Sequence, residues 1–496
     1  MSSKTQNHKI IFGLKMKQLR TGQSLSFAQL AEQSGLSVSY LNEIEKGKKY
    51  PRADKIALLA KALNIDKEEL TSTELTKELA GVGVLLKSNF LNELPLDLFG
   101  IELSKVTEII ASAPIRVGAF ISTLVEISRS YSLLDAHFFT GAMRAYQEMR
   151  YNYFEEIETA VDDFFKKEKL SMEGGVSEEQ LKSILQKKHK YKIIEDELSG
   201  YPELENVRAV YHPKAKRLLL NDKLTSTEKV FQLAKELGFL RLKIKDRGPT
   251  STLLKINSFD LVLNHNQASY FAAAVIIPRD ALLADLRIFF QKEKWDAEAL
   301  LKIKRKYNAS PEIFYHRLTN LLPQFFGLQK LFFIRTIHDT QKNNFEIDKE
   351  LHLNHKHHPH GNGLLEHYCR RWSSISLLND LHEMQKVGKY VGTFVGAQRS
   401  KYLGTEDEYL TMTLARPSHP KPHLNTSVTI GILVDEEVKK KIKFIDDSTI
   451  LHRVVNQTCQ RCPILDCTER AAPAIEVEKR EKRKAVQEAL KKIVEG

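Results

Sequence analysis

Cysteine is scarce in this chain: there are four in 496 residues, beside seven methionines and two tryptophans. So few thiols exclude a secreted disulfide scaffold. Long apolar runs are missing too. The longest, Tyr270 to Pro278, is nine residues, against the roughly twenty that a membrane-spanning helix needs. The opening MSSKTQNHK is polar and leads straight into an amphipathic pattern, so no secretory signal and no membrane partner are expected. With hydrophobic residues at 42% and charged residues at 28%, neither a disordered chain nor a collagen-like fibre fits. The expectation is a cytoplasmic globular protein of three or four domains, at roughly 150 residues per domain.

What is present is basic charge. Lys and Arg number 75 against 63 Asp and Glu, a net +12. That surplus favours a polyanionic partner. Three of the cysteines, Cys459, Cys462 and Cys467, lie within nine residues, the spacing of a metal or redox site.

The first seventy residues carry apolar positions at helical spacing, cut into short blocks by turn signals. Ile10 to Arg20 form the first block. Ser26 caps a helix from Phe27 to Gln33, and Gly35 supplies a turn that tolerates positive φ. Ser37 caps a third helix through Lys46, Ala53 to Leu63 form a fourth, and Asp66 opens a short fifth. Helix, short turn, helix with flanking helices is the helix-turn-helix arrangement. The stretch LSFAQLAEQSGLSVSYLNEIEKGKKYPRADKIALLAKALNI resembles the phage-repressor-like (XRE) family. The resemblance implies that the third helix enters the major groove of double-stranded DNA. It places Val38, Ser39, Tyr40, Asn42 and Glu43 at base edges, and Lys46, Lys48, Lys49 and Arg52 at phosphates. Phe27 stands where many relatives carry a backbone-touching glutamine.

From Leu75 to Lys169 the pattern stays helical. Phe139, Met143, Tyr146, Met149, Tyr153, Ile157, Val161 and Phe164 step by three or four, the stripe of one long amphipathic helix that serves as core or as a dimer seam. Gly81-Val82-Gly83 is too short to be a nucleotide loop.

Between Ser177 and Arg247, helix and strand signals alternate, and Ser226 caps a helix reading TEKVFQLAKELGFLRLK. This segment resembles the ImmA/IrrE metallopeptidases, whose helix carries H-E-x-x-H. In that motif two histidines on one helix face hold Zn²⁺ while the glutamate activates water. Here Lys235 and Phe239 occupy the histidine positions and only Glu236 remains. The stretch matching the third ligand, Leu263 to Ala272, has no carboxylate. His265 reads as a surface or core histidine rather than a replacement ligand, and Glu236 as an ordinary helix residue. The resemblance thus implies a degenerate, non-enzymatic site with no catalytic residue.

Toward the C-terminus, Leu331 to Ile337 is strand-like, and a histidine-rich tract holds His352, His355, His357, His358 and His360, read either as a metal binder or as a solvated loop. A helix is expected from Ile375 to Met384, and strands at Tyr390–Val395, Tyr409–Leu414 and Ser427–Leu433. Cys459-x2-Cys462-x4-Cys467 can supply three thiolates to one Zn²⁺, with Cys369, the remaining cysteine, as the fourth. Free reduced thiols and a redox C-x-x-C are the alternatives.

Taken whole, the order of these segments resembles the short-chain fatty acyl transcriptional regulators. That resemblance implies a regulator of carbon-assimilation genes that responds to a small-molecule effector, a short-chain acyl-CoA, and binds its operator as a homodimer. The expected fold is multidomain, mainly α with α+β parts. It comprises a five-helix helix-turn-helix bundle at 1–72, a helical connector at 73–170, a degenerate zincin-like α+β domain at 171–345, a C-terminal α+β domain with the cysteine cluster at 346–475, and a charged terminal helix at 476–496. The rivals are a zinc endopeptidase fused to a DNA reader, and a phage- or antitoxin-type repressor controlled by protein contact.

Overall fold

The computed structural model describes residues 3–73, 98, 135–251, 253, 256, 258–353, 366–389, 392–418 and 423–495. The chain forms two compact units, one of residues 1–146 with 255–263, the other of 147–254 with 264–496. Most of the expected connector, including Gly81-Val82-Gly83, lies outside the described residues, as do His355, His357, His358 and His360.

The first unit opens with five helices: α1 (Ser3–Gly22), α2 (Phe27–Ser34), α3 (Val38–Glu45), α4 (Ala53–Ala62) and α5 (Lys67–Thr71). Local chemistry sets their ends. The Ser26 hydroxyl accepts from the Gln29 backbone N–H at 3.2 Å while the Gln29 side chain accepts from the Ser26 N–H at 2.8 Å, a reciprocal box that starts α2. Gly35 ends it at φ +68°. Phe12, Met16, Leu30, Leu41, Ile44, Ile56, Leu59 and Leu63 form the shared core. Gly13 lets α1 lie directly on α3: a Cβ there would fall 2.2 Å from the Ile44 carbonyl oxygen. Beside this contact Arg20 holds Glu45 at 2.6 Å and lies 4.2 Å above the Phe27 ring. Phe27 therefore works as a platform for the α1–α3 ion pair.

Helix α6 (Asp135–Met149) is followed in the second unit by α7 (Glu155–Glu168). The continuous helix expected from the Phe139–Phe164 stripe is broken between them. Tyr151 and Asn152 adopt φ of +49° and +52°, left-handed conformations that end a helix. Asn152 is held there by burial: its amide donates to Thr319 Oγ1 at 2.9 Å, its side-chain oxygen accepts from Gln147 at 3.1 Å, and its carbonyl accepts from Asn320 at 2.8 Å.

Next come α8 (Glu178–His189), β1 (Lys192–Ile194), β2 (Ala209–His212), β3 (Arg217–Leu220), α9 (Ser226–Arg241), α10 (Phe259–Ile276), α11 (Arg279–Phe290), α12 (Ala297–Lys306) and α13 (Pro311–Phe326). The small sheet has the order β1-β3-β2, with β1 and β3 parallel. Thr225, one residue before the expected Ser226, caps α9. A fully buried ion pair joins three helices: Arg317 of α13 donates to both carboxylate oxygens of Glu158 on α7, and Tyr270 Oη of α10 donates to the same carboxylate at 2.7 Å. Burial disfavours the charged Glu158, yet Arg317 outweighs it and holds the carboxyl below its usual range.

The remainder contains β4 (Leu331–Asp339), β5 (Asn344–His352), α14 (Ser373–Lys386), β6 (Phe394–Tyr402), β7 (Glu408–Pro417), β8 (Leu424–Leu433), α15 (Glu436–Lys441), β9 (Leu451–Val455) and α16 (Ile475–Glu495). The larger sheet has the order β5-β4-β8-β7-β6-β9, antiparallel except where β9 runs parallel to β6. A domain boundary at 345 would cut β5, which pairs with β4 along its length; the sheet begins at Leu331. The strand expected at Tyr390–Val395 starts instead at Phe394 and extends to Tyr402. Alternate residues face opposite sides. One face, with Thr411, Thr413, Ser427 and Thr429, lies under α14; Ser373 bonds to Thr411 and Thr413 at 3.0 and 2.8 Å. The other meets α13, where His316 contacts the Phe333 ring. Helix α16 buries none of its residues. Among the described residues, no helix is long and apolar enough to cross a membrane.

Candidate functional site

On α3, expected to be the reading helix, Val38 and Ser39 are exposed and Tyr40, Asn42 and Glu43 half-buried, as is Lys46 at its C-cap. Lys48, Lys49 and Arg52 stand exposed just beyond its end. Leu41 and Ile44 hold the opposite side in the core. The expected base-reading and phosphate-reading residues are thus each at least partly accessible. Two are coupled: Lys49 Nζ lies 2.6 Å from Glu43 Oε2 and 5.8 Å from the Tyr40 ring centroid. The hydrogen bond and charge of Glu43 raise the Lys49 pKa.

The degenerate peptidase site lies in the second unit, where α9 meets an irregular segment that follows it. That segment pairs with β2: Tyr211 N–H donates to the Pro249 carbonyl at 2.7 Å, and Ser251 N–H to the Ala209 carbonyl at 2.9 Å. The pairing swings Arg247 across the α9 face that carries Lys235, Glu236 and Phe239. Arg247 donates to both oxygens of Glu236 at 2.8 and 2.7 Å, and Tyr191 Oη donates to one of them at 2.7 Å. The guanidinium is sandwiched 4.1 Å from both the Tyr211 and Phe239 rings. Glu236 is therefore the anchor of a buried network and not the ordinary helix residue that the missing ligands around it had suggested.

Lys235 is buried and donates to the Ser251 carbonyl at 2.8 Å, with His265 Nδ1 at 3.5 Å. Burial, with like charge from Lys349 and Arg247, brings its pKa down to about 7. Burial, with like charge from Lys235 and Arg247, brings His265 down to about 3. His265 is a core residue packed on Phe239 at 5.1 Å. The space left among these side chains is about 10 Å³, room for no more than one water. A benzyl group cannot ligate a metal, Lys235 Nζ is engaged by the Ser251 carbonyl, and Arg247 already engages both oxygens of the carboxylate. Arg247, Tyr191 and Tyr211 carried no sequence signal that marked them.

Backbone pairing brings Cys369 beside the segment that carries Cys459. Tyr368 and Thr458 form a β-bridge, Cys369 N–H donates to the Gln457 carbonyl at 3.0 Å, and Cys459 N–H to the His367 carbonyl at 2.8 Å. Cys369, Cys459 and Cys462 are buried and Cys467 is half-buried. Arg470 ties the knuckle, donating to the carbonyls of Cys459, Cys462, Ile464 and Ala472. As placed, no three His, Cys, Asp or Glu side chains among the described residues are grouped to hold a metal. His352 is buried at the end of β5, 3.3 Å from Glu350.

Two predictions follow from the α9 site. Arg247→Met leaves a buried carboxylate without its counter-charge and is expected to cost about 3–5 kcal/mol; Glu236→Leu added to it recovers part of that loss in denaturant titrations. Lys235 ordinarily titrates at 10.5 and here near 7. Between those values the unfolded chain keeps a proton that the folded chain has released, so this residue's penalty shrinks as pH rises. Lys235→Met is therefore expected to raise the thermal midpoint most at neutral pH, the gain narrowing toward pH ~10.

A family model described as helix-turn-helix matches residues 16–70, and one described as IrrE N-terminal-like domain matches residues 188–319. The HTH-type transcriptional regulator RamB of Mycobacterium tuberculosis is 24% identical over 336 residues, covering 63% of this chain and 65% of RamB. The HTH-type transcriptional activator BcrR of Enterococcus faecalis is 38% identical over 63 residues, covering 13% of this chain and 31% of BcrR. This chain thus spans less than two thirds of the length of either relative. A solved structure titled Mycobacterium tuberculosis transcriptional regulator aligns with a TM-score of 0.47 at 18% identity, over 66% of this chain and 92% of that one. The chain joins an XRE-type helix-turn-helix domain to an ImmA/IrrE-like domain.

Proposed function

We propose that this chain is a cytoplasmic, sequence-specific DNA-binding transcription regulator. In this reading its ImmA/IrrE-like part senses a small molecule and does not cleave peptides. The observation that carries the proposal is the pairing of an accessible α3 surface with a peptidase centre filled by Lys235, Phe239 and Arg247. A hydrolytic centre needs an open position for a metal-bound water. The names of the relatives support the regulator reading.

The effector we assign is a short-chain acyl-CoA, and the genes those of carbon and fatty-acid metabolism. The support is the resemblance in domain order and the basic surplus of +12. The regulator acts as a homodimer on an operator of paired half-sites, the usual geometry for helix-turn-helix readers. Effector binding shifts the population between two arrangements of the dimer. A structural zinc at Cys369, Cys459, Cys462 and Cys467 completes the reading. Its support is the C-x2-C-x4-C spacing and the backbone pairing that brings Cys369 to the knuckle.

Asn42→Ala is expected to relax base choice at one position, by about 1–3 kcal/mol of discrimination, while Lys49→Ala weakens all sequences and lowers the salt slope by about one. Because Glu43 holds Lys49, Glu43→Gln should tighten non-specific binding. Fluorescence anisotropy on operator and scrambled duplexes across salt concentrations reads all three, and equal effects of Asn42→Ala and Lys49→Ala on every sequence would overturn the groove assignment. For the cysteines, elemental analysis of the purified protein is expected to find zinc that Cys462→Ser loses and Glu236→Gln keeps.

A further inference from the structure

The α9 centre, where the motif would hold a metal, brings two basic side chains against one acid. Glu236 is fully engaged by Arg247 and Tyr191. Lys235 has no carboxylate partner among the described residues; its Nζ donates to the Ser251 carbonyl at 2.8 Å. Burial disfavours its ammonium form, and Lys349, Arg247 and Arg208 repel it, against attraction from Glu236. One positive charge is thus left over in a buried setting, and an unpaired buried charge is costly.

The polar atoms beside it repeat the imbalance. Arg247 Nε and Ser251 Oγ are buried donors, and neither makes a hydrogen bond among the described residues. Both residues line the small space next to Lys235, together with Gln232. Gln232 is 4% exposed, and its buried amide oxygen is likewise without a partner. A half-turn of that amide puts its N–H donors in the same place.

The space is about 10 Å³, enough for one body of roughly a water's size. A phosphate, a carboxylate or any larger anion does not fit. A water satisfies the donors and leaves the surplus charge as it is. A monatomic anion answers both, and in a poorly screened interior the charge decides between them.

We infer that the α9 centre binds a single halide ion, met by Lys235 Nζ, Arg247 Nε, Ser251 Oγ and the Gln232 amide. The ion is opposite in sign to the one that two histidines at these positions would hold. It acts as a fixed counter-charge within the fold, and the inference is independent of the effector reading above.

The test is thermal unfolding of the full-length chain at fixed ionic strength, with gluconate, too large for the space, replaced stepwise by chloride. The midpoint is expected to rise by about 2–4 °C once chloride exceeds its dissociation constant about tenfold. Lys235→Met removes the surplus charge and should abolish that rise, while Ser251→Ala should reduce it. If Lys235→Met does not fold, Ser251→Ala carries the comparison. Crystals soaked in bromide are expected to show an anomalous peak between Lys235, Arg247 and Ser251. A rise that both variants keep in full places the ion elsewhere and overturns the inference. A wild-type midpoint indifferent to chloride, or a centre that stays free of bromide, overturns it too, because the space then holds water only. The regulator reading stands under each of these outcomes.

Discussion

The bidentate pair between Arg247 and Glu236 is the constraint on which the middle of this protein depends. In a zinc peptidase the equivalent carboxylate is free to take a proton from a metal-bound water, because the metal supplies the positive charge nearby. Here the chain supplies that charge itself. The guanidinium arrives on a segment that β2 captures by backbone hydrogen bonds, and Tyr211 and Phe239 clamp it from both sides. A planar fork held between two rings has little freedom to release the carboxylate. Lys235 adds a second basic group, whose proton is weakly held because it is buried and because Lys349 and Arg247 repel it. Helix α9 thus presents a buried lysine, a paired carboxylate and an aromatic ring on the face where the motif would place its ligands.

How much of this was legible in the sequence follows from the range of each signal. The helix-turn-helix was readable because its caps and turns are written locally: Ser26 with Gln29, Gly35 and Ser37 each act within a few residues. The loss of ligands at Lys235 and Phe239 was readable because it needs only a motif. Arg247 was not. It sits on irregular backbone eleven residues past its partner, and only the long-range pairing of that segment with β2 brings it home. Asn152 failed for a similar reason. The apolar stripe runs unbroken through it, and its left-handed backbone is stabilised by Thr319 and Asn320, more than 160 residues away.

The six-stranded sheet shows a subtler limit. Period-2 alternation in Thr411-Met412-Thr413-Leu414 reads as a strand with one polar, solvent-facing side. The hydroxyls are instead buried under α14, bonded to one another and to Ser373. A hydroxyl row satisfied this way costs little to bury, so polarity misleads about exposure when the polar groups can pair among themselves. The apolar side of the same sheet faces α13, and it is interrupted by Arg335 midway along β4 and by Arg416 near the end of β7.

Helix α13, which packs on that face, is fastened at two points along its length. At its first turn Glu312 is gripped by Arg335 of β4 and Lys349 of β5. One and a half turns later Arg317 holds Glu158 of α7, together with Tyr270 of α10. Both ends of this short helical stretch are tied by charge, and it is rigid in between. One grip ties the helix to the larger sheet and the other to the helical layer, so α13 fixes the position of β4 and β5 relative to α7 and α10 by charge as well as by packing.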